Sequence, residues 1–208
     1  MPEQKNFRLR VFFQKAGRLS LLSHLELARA LERAVRRAGL PYAVSEGFSP
    51  HMRIAFGAAL PVGVGGLAEC FDLFLTHYVA PERAYEALMS SSVEDLMVSS
   101  CEYISAQAPA ASAAYPYSTY EAILSHAPQG TLVFPETIKV KRKKGEKELR
   151  VKDYLVGDPL MAGDVLTFTL CAKTTGSLRP DVLVEVILEQ DQSLSVLSLT
   201  RIKQNTFF

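Results

Sequence analysis

The stretch from Ser23 to Pro41 constrains the fold more than any other part of the chain, because it carries a complete helix with both of its ends. Ser23 followed three residues later by Glu26 is a capping box, in which hydroxyl and carboxylate satisfy amides that would otherwise lack partners. The helix is expected from about His24 to Ala38, with Gly39 just beyond its end and Pro41 preventing continuation. At about 100° per residue, Leu27, Ala28, Leu31, Ala34, Val35 and Ala38 share one face, and Arg29, Arg33, Arg36 and Arg37 share the opposite one. Such a helix must lie on another layer of structure and turn four guanidinium groups outward.

What surrounds it supplies that layer. Phe7 to Phe13 alternates apolar and basic residues and predicts a strand, turned at Ala16-Gly17. Ile54-Ala55-Phe56 and Ala68 to His77 predict two more, joined by the Gly-rich passage Gly57–Gly66. Pro81 to Met89 reads as a helix with Pro near its first position, and Leu96 to Ser105 as a closing strand. The order β-α-β-β-α-β predicts a ferredoxin-like module, an antiparallel sheet with both helices on one face, over residues 1–107.

The small, low-complexity run Ala106–Ala114 marks a boundary, and residues 115–208 form a second α+β module. Strands are expected at Tyr117–Leu124, Thr131–Phe134, Val165–Leu170 and Ser193–Lys203, with a helix opening at Arg179-Pro180-Asp181 and running to about Gln190. Ile138–Arg142 and Glu148–Val151 flank Lys143-Lys144-Gly145-Glu146 as a hairpin. This half repeats the first in degenerate form, its first helix missing or reduced to a turn. The fold class is therefore α+β, with two ferredoxin-like modules and antiparallel sheets.

Charge is distributed unevenly although the net value is only +1. Lys5 to Arg53 holds ten basic residues against Glu26, Glu32 and Glu46, and Lys139 to Lys152 holds eight against Glu146 and Glu148. Blocks of this kind give a polarised surface able to meet an anionic partner, unless folding interleaves and cancels them. Cys70, Cys101 and Cys171 are odd in number and widely spaced, which suits free thiols in a cytoplasm. They offer no CxxC run for zinc or an iron–sulfur cluster. The N-terminus lacks an apolar signal core, no stretch reaches membrane-spanning length, and no cofactor or metal is expected. Gly57–Gly66 has neither GxGxxG nor a P-loop lysine, and within it Gly63-Val64-Gly65-Gly66 reads as a tight turn or close approach of backbone. Glu69 and Asp72, three apart on a strand, should face opposite sides.

The arginine stripe is the main candidate site. Glu32–Arg36 and Glu26–Arg29 would pair part of it, but four arginines without a lysine suit bidentate phosphate contact and stacking on bases. The alternatives are a solvated face and a protein-binding surface. The loop Ser45–Arg53 interleaves Phe48 with His51 and Arg53, which suits an extruded base, unless Phe48 plugs the core. His24, at the positive end of the helix, would be a neutral ring near phosphate or a packed cap residue. The lysine-rich hairpin reads either as an edge defended against aggregation or as an RNA contact.

Phe12-Phe13-Gln14-Lys15-Ala16-Gly17, Leu22-Ser23-His24-Leu25-Glu26-Leu27, Arg33–Pro41 and Ser45-Glu46-Gly47-Phe48-Ser49-Pro50-His51 together resemble a bacterial family of radical-SAM-associated proteins of unknown function. Its domain is found beside, or fused to, radical SAM proteins with a cobalamin-binding-type domain. Gly57–Gly63, Glu69, Gly176–Pro180 and Thr200-Arg201 extend the resemblance across most of the chain, with departures at Glu26, Met52 and Ala55. The resemblance implies a bacterial, cytoplasmic protein that works with a separate radical SAM enzyme, which would own the cluster chemistry.

Taken with the stripe, these readings predict a non-enzymatic RNA-binding or substrate-presenting accessory in RNA modification. Lys15, His24, Arg29, Arg33, Arg36, Arg37, Phe48, His51, Arg53, Arg179 and Arg201 would contact the RNA. The rival reading is a metal-independent endoribonuclease, architecturally related to CRISPR repeat-processing enzymes, using His24 or His51 with Lys15. The oligomeric state is left open by the sequence.

Overall fold

The structure, a computed structural model, describes residues 7–142, 145–173 and 176–208. Lys5, and Lys143 and Lys144 at the expected hairpin turn, lie outside the described residues. The chain divides into two compact units, Met1–Ala114 and Tyr115–Phe208, each of the α+β class and each built on antiparallel strands.

In the first unit β1 (Phe7–Lys15) is followed by a 3-10 turn (Gly17–Leu21) and α1 (His24–Arg37). Then come β2 (Ile54–Phe56), β3 (Val64–Leu75), α2 (Pro81–Ser91), β4 (Val98–Tyr103) and the short α3 (Ala111–Ala114). The strand order is β4-β1-β3-β2, antiparallel throughout. Leu9, Val11 and Phe13 of β1 and Phe71, Leu73 and Leu75 of β3 share one face by strand alternation. They form a single core with Leu27, Leu31 and Val35 of α1 and Ala84 and Leu88 of α2. Both helices therefore cover the same side of the sheet.

β3 begins at Val64, inside the passage expected to be a linker. Before it, Gly57 passes close to the sheet: a Cβ there would stand 2.8 Å from the backbone oxygen of Cys70, to which the Gly57 N–H donates at 2.9 Å. The close approach holds the segment against β3.

The other side of the sheet carries charge. Asp72 and Phe74 alternate with the core residues of β3, and Asp72 is gripped by Arg8 and Arg10 of β1. The same guanidinium groups donate to Ala108 O (Arg8, 2.7 Å) and to Pro109 O (Arg8, 2.9 Å; Arg10, 3.1 Å). α3 then packs against β2 and β3 with Ala111 and Ala114 buried. The run that precedes the division between the units is thus docked on the first of them, because small residues leave carbonyls accessible to buried arginines and fit closely over strands.

The second unit contains β5 (Tyr117–Leu124), a hairpin of β6 (Thr137–Arg142) and β7 (Gly145–Arg150), β8 (Leu155–Ala162), β9 (Val165–Cys171), α4 (Pro180–Leu188) and β10 (Val196–Asn205). Its strand order is β10-β5-β9-β8, again antiparallel, with the β6–β7 ribbon separate. The ribbon, followed by a 3-10 turn (Val151–Asp153), occupies the place in chain order that α1 holds in the first unit.

One local expectation is corrected, and one strand had none. Thr131–Phe134 is not a strand: Val133 is held by the Gln190 side chain, which accepts from its N–H at 3.3 Å and donates to its carbonyl at 2.6 Å. β8 had no expectation at all. Gly157-Asp158-Pro159 interrupts its alternation, and the register with β9 shifts between Val156 and Leu160, so the periodic signal is lost at a bulge.

Candidate nucleic-acid interface

The helix at the centre of the site is fixed by local chemistry. The Ser23 hydroxyl accepts from the Glu26 N–H at 3.4 Å, and the Glu26 carboxylate accepts from the Ser23 N–H at 2.9 Å and hydroxyl at 2.6 Å. These bonds, with Arg29 nearby, hold the Glu26 carboxyl below its ordinary range. α1 ends at Arg37, and Gly39 follows at φ +65°.

Leu27, Leu31, Ala34 and Val35 are buried, and Arg29, Arg33, Arg36 and Arg37 are all exposed. Arg36 reaches Glu32 at 3.8 Å along the helix, an exposed pair worth only a few tenths of a kcal/mol. Arg37 donates to the Ser91 carbonyl at the end of α2. Arg29 and Arg33 make no ion pair among the described residues. Arg29, Arg33 and Arg37, each about 6 Å further along the axis, line one groove of about 390 Å³. Its other side is apolar, made by Leu19, Leu22, Val93 and Leu96, and Glu26 stands at one end.

The Ser45–Arg53 loop is zipped at its root and open at its tip. Ser45 N–H donates to His51 O at 2.7 Å, His51 N–H to the Ser45 hydroxyl at 3.0 Å, and Arg53 N–H to Ala43 O at 2.8 Å. Ala43 N–H and Phe74 N–H complete the tie to β3 through Phe74 O and Arg53 O. Met52 is the buried anchor. Phe48, by contrast, has 110% relative exposure, so it does not plug the core. His51 and Arg53 are exposed too, and the Arg53 guanidinium lies 4.7 Å over the Phe74 ring, a cation–π contact on the face of the sheet opposite the helices. Ala43 at the root is six Cα steps on from Arg37, so the loop springs from within roughly 21 Å of that arginine.

Other expected contacts are placed elsewhere. Lys15 is 1% exposed, its ammonium 3.4 Å from Val64 O, and Arg201 is 2% exposed inside β10; neither stands on a surface where RNA would meet it. Their strand positions turn them inward, a fact that composition does not reveal. Arg179 is exposed but forms a two-toothed pair with Asp181 at the start of α4, donating from Nε at 3.0 Å, so its charge is answered within its own turn. His24 is exposed at the start of α1, edge-on to Phe56 with ring centroids 5.4 Å apart. His24, His51 and Lys15, the residues of the nuclease reading, thus occupy a helix start, a loop root and a strand interior. Glu69, buried, lines a small cleft with His24, Leu27 and Phe13, on the side of the sheet opposite Asp72.

On the β6–β7 ribbon Ile138 and Leu149 face inward and Lys139 stands opposite Glu148, so part of that basic run is matched across the strands. A cluster that the sequence did not single out joins Ser125, His126, Asp191 and Ser193. Ser193 Oγ is 3.4 Å from His126 Nε2, but Asp191 bonds the Ser193 hydroxyl and not the imidazole. The bond to Ser193 lowers the Asp191 pKa. A carboxylate that orients the hydroxyl leaves the imidazole without an orienting acid, so the arrangement is a surface turn.

The chain belongs to a bacterial family described as an uncharacterized protein conserved in bacteria (DUF2344), which matches residues 8–180. No curated protein matches it.

Proposed function

We propose that this member of the DUF2344 family is a non-enzymatic RNA-binding accessory that presents RNA to a separate radical SAM enzyme in the bacterial cytoplasm. One observation carries the reading: Arg29, Arg33 and Arg37 are exposed together along a single groove, with two of them making no ion pair among the described residues. Exposed guanidinium groups at regular spacing, outnumbering the single Glu26 carboxylate in the groove, favour a polyanion. The exposed Phe48 ring favours one with bases to stack upon. The radical SAM partner rests on the resemblance of the sequence motifs and on nothing in the geometry.

The strand orders β4-β1-β3-β2 and β10-β5-β9-β8 support reading both units as ferredoxin-like, the second with a hairpin in place of its first helix. That architecture is compatible with RNA binding, but the arginines, not the fold, carry the function.

Ultraviolet crosslinking in cells followed by sequencing of attached RNA tests the proposal. The expected result is a defined RNA class recovered with the intact protein and lost when Arg29 and Arg33 are both changed to Gln. Co-purification of a protein partner that survives nuclease and high salt, with no crosslinked RNA, would replace this reading with a protein-docking one.

A further inference from the structure

Deepening the RNA reading, on which it rests, we infer that the α1 groove is a site for single-stranded RNA and not for duplex. Three of the four arginines of the stripe, Arg29, Arg33 and Arg37, with Ala30 and Ala34 between them, line a concavity that Leu19, Leu22, Val93 and Leu96 also line. A duplex presents its phosphates on a broad convex surface, and the major groove of A-form RNA is too deep and narrow for a helix face to read. A ligand that meets all three guanidinium groups must therefore be slim enough to enter between the walls.

The two walls ask for different chemistry from one ligand. Anionic groups are needed along Arg29, Arg33 and Arg37, over a path of about 12 Å. Apolar or planar groups are needed on the opposite side, where Val93 is exposed. A single strand has this division, with phosphates along one edge and sugars and unpaired bases along the other. About three successive phosphates fit the path, one for each arginine.

Glu26 gives the groove a direction. Its carboxylate, fixed by Ser23 and held ionised, sits at the N-terminal end of the arginine row. A phosphate there would meet like charge. The strand is thus expected to lie along Arg29 to Arg37 and to extend past Arg37, away from Glu26.

The test uses the full chain and fluorescence anisotropy. The probes are an unstructured labelled RNA of about twelve nucleotides, the same RNA annealed to its complement, and a free nucleoside monophosphate as competitor. The single strand is expected to bind about tenfold more tightly than the duplex. Arg29→Gln with Arg33→Gln should reduce the salt slope for the single strand by about 1.4, the value for two lost phosphate contacts. Glu26→Gln, which can still close the capping box, should tighten single-strand binding a fewfold. Val93→Asp, which puts a carboxylate on the apolar wall, should weaken it without touching an arginine.

Equal affinity for duplex and single strand, lost equally in the arginine variant, overturns the inference and leaves RNA binding standing. Equal competition by the monophosphate makes the ligand a free nucleotide and also overturns it. No binding of either RNA at low salt removes the RNA reading and this inference together. Unchanged far-ultraviolet circular dichroism of each variant shows that the comparison is between folded proteins.

Discussion

Arg10 donates from Nε to the carboxylate of Asp72 at 2.7 Å with both side chains withdrawn from solvent, while Arg8 takes the second oxygen at 2.7 Å. One carboxylate thus organises two strands, and through the arginines it also holds the 108–109 carbonyls in place. Removing one partner of a buried pair strands the other in a medium that penalises charge. Asp72→Ala is expected to cost about 3–5 kcal/mol, measured by urea denaturation. The same variant should become more sensitive than the wild type to limited proteolysis between Ala106 and Ala110. Unchanged cleavage would mean that the arginines do not hold the segment.

The start of α1 should be pH-dependent in a defined direction. Glu26 has a lowered folded pKa, caused first by the Ser23 hydroxyl, then by the Ser23 N–H and by Arg29. A depressed carboxyl contributes stability that is present above the ordinary glutamate value and is lost as pH falls through the folded one. Ser23→Ala is expected to cost about 1 kcal/mol at neutral pH. In thermal melts, its deficit relative to wild type should shrink as the pH is taken below the glutamate range. A deficit constant with pH would show that the carboxylate takes no part.

The loop separates an anchor from a tip, and substitution should separate them likewise. Met52 is buried and Phe48 is wholly exposed. Met52→Ala is expected to cost about 2–5 kcal/mol through the cavity it leaves. Phe48→Ala should change stability by less than about 0.5 kcal/mol, as surface substitutions do. Thermal melts of the two variants check both. A large loss with Phe48→Ala would mean that the ring packs in solution.

Cys101 is expected to be inert. Burial pushes its thiol up to about 12, so the thiolate that reacts with alkylating agents is scarce at neutral pH. Mass spectrometry after brief iodoacetamide treatment of the native protein should find Cys101 unmodified, with modification appearing after unfolding in urea. Rapid native labelling there would contradict the environment described.

The helix was readable residue by residue, and its reason is local. A capping box, a 3.6-residue period and a glycine at the end act within a few residues of one another, so sequence reasoning placed α1 and its buried face. β1, β2, α2 and β5 were readable for the same reason. β8 was not, because its bulge breaks the alternation.

The site divides along that line. That four arginines share a helix face follows from spacing alone, and so does their opposition to Leu27, Leu31 and Val35. Which cations remain at the surface does not follow. Lys15 and Arg201 look like Arg29 in a one-dimensional string, yet strand pairing turns them inward, and Arg179 is claimed by Asp181. Only the tertiary structure made Phe48 a tip, Met52 an anchor and the arginine face one wall of a groove. Burial and charge pairing are properties of neighbours in space, and Val93 and Leu96, more than fifty residues from Arg29, close that groove only when the chain has folded.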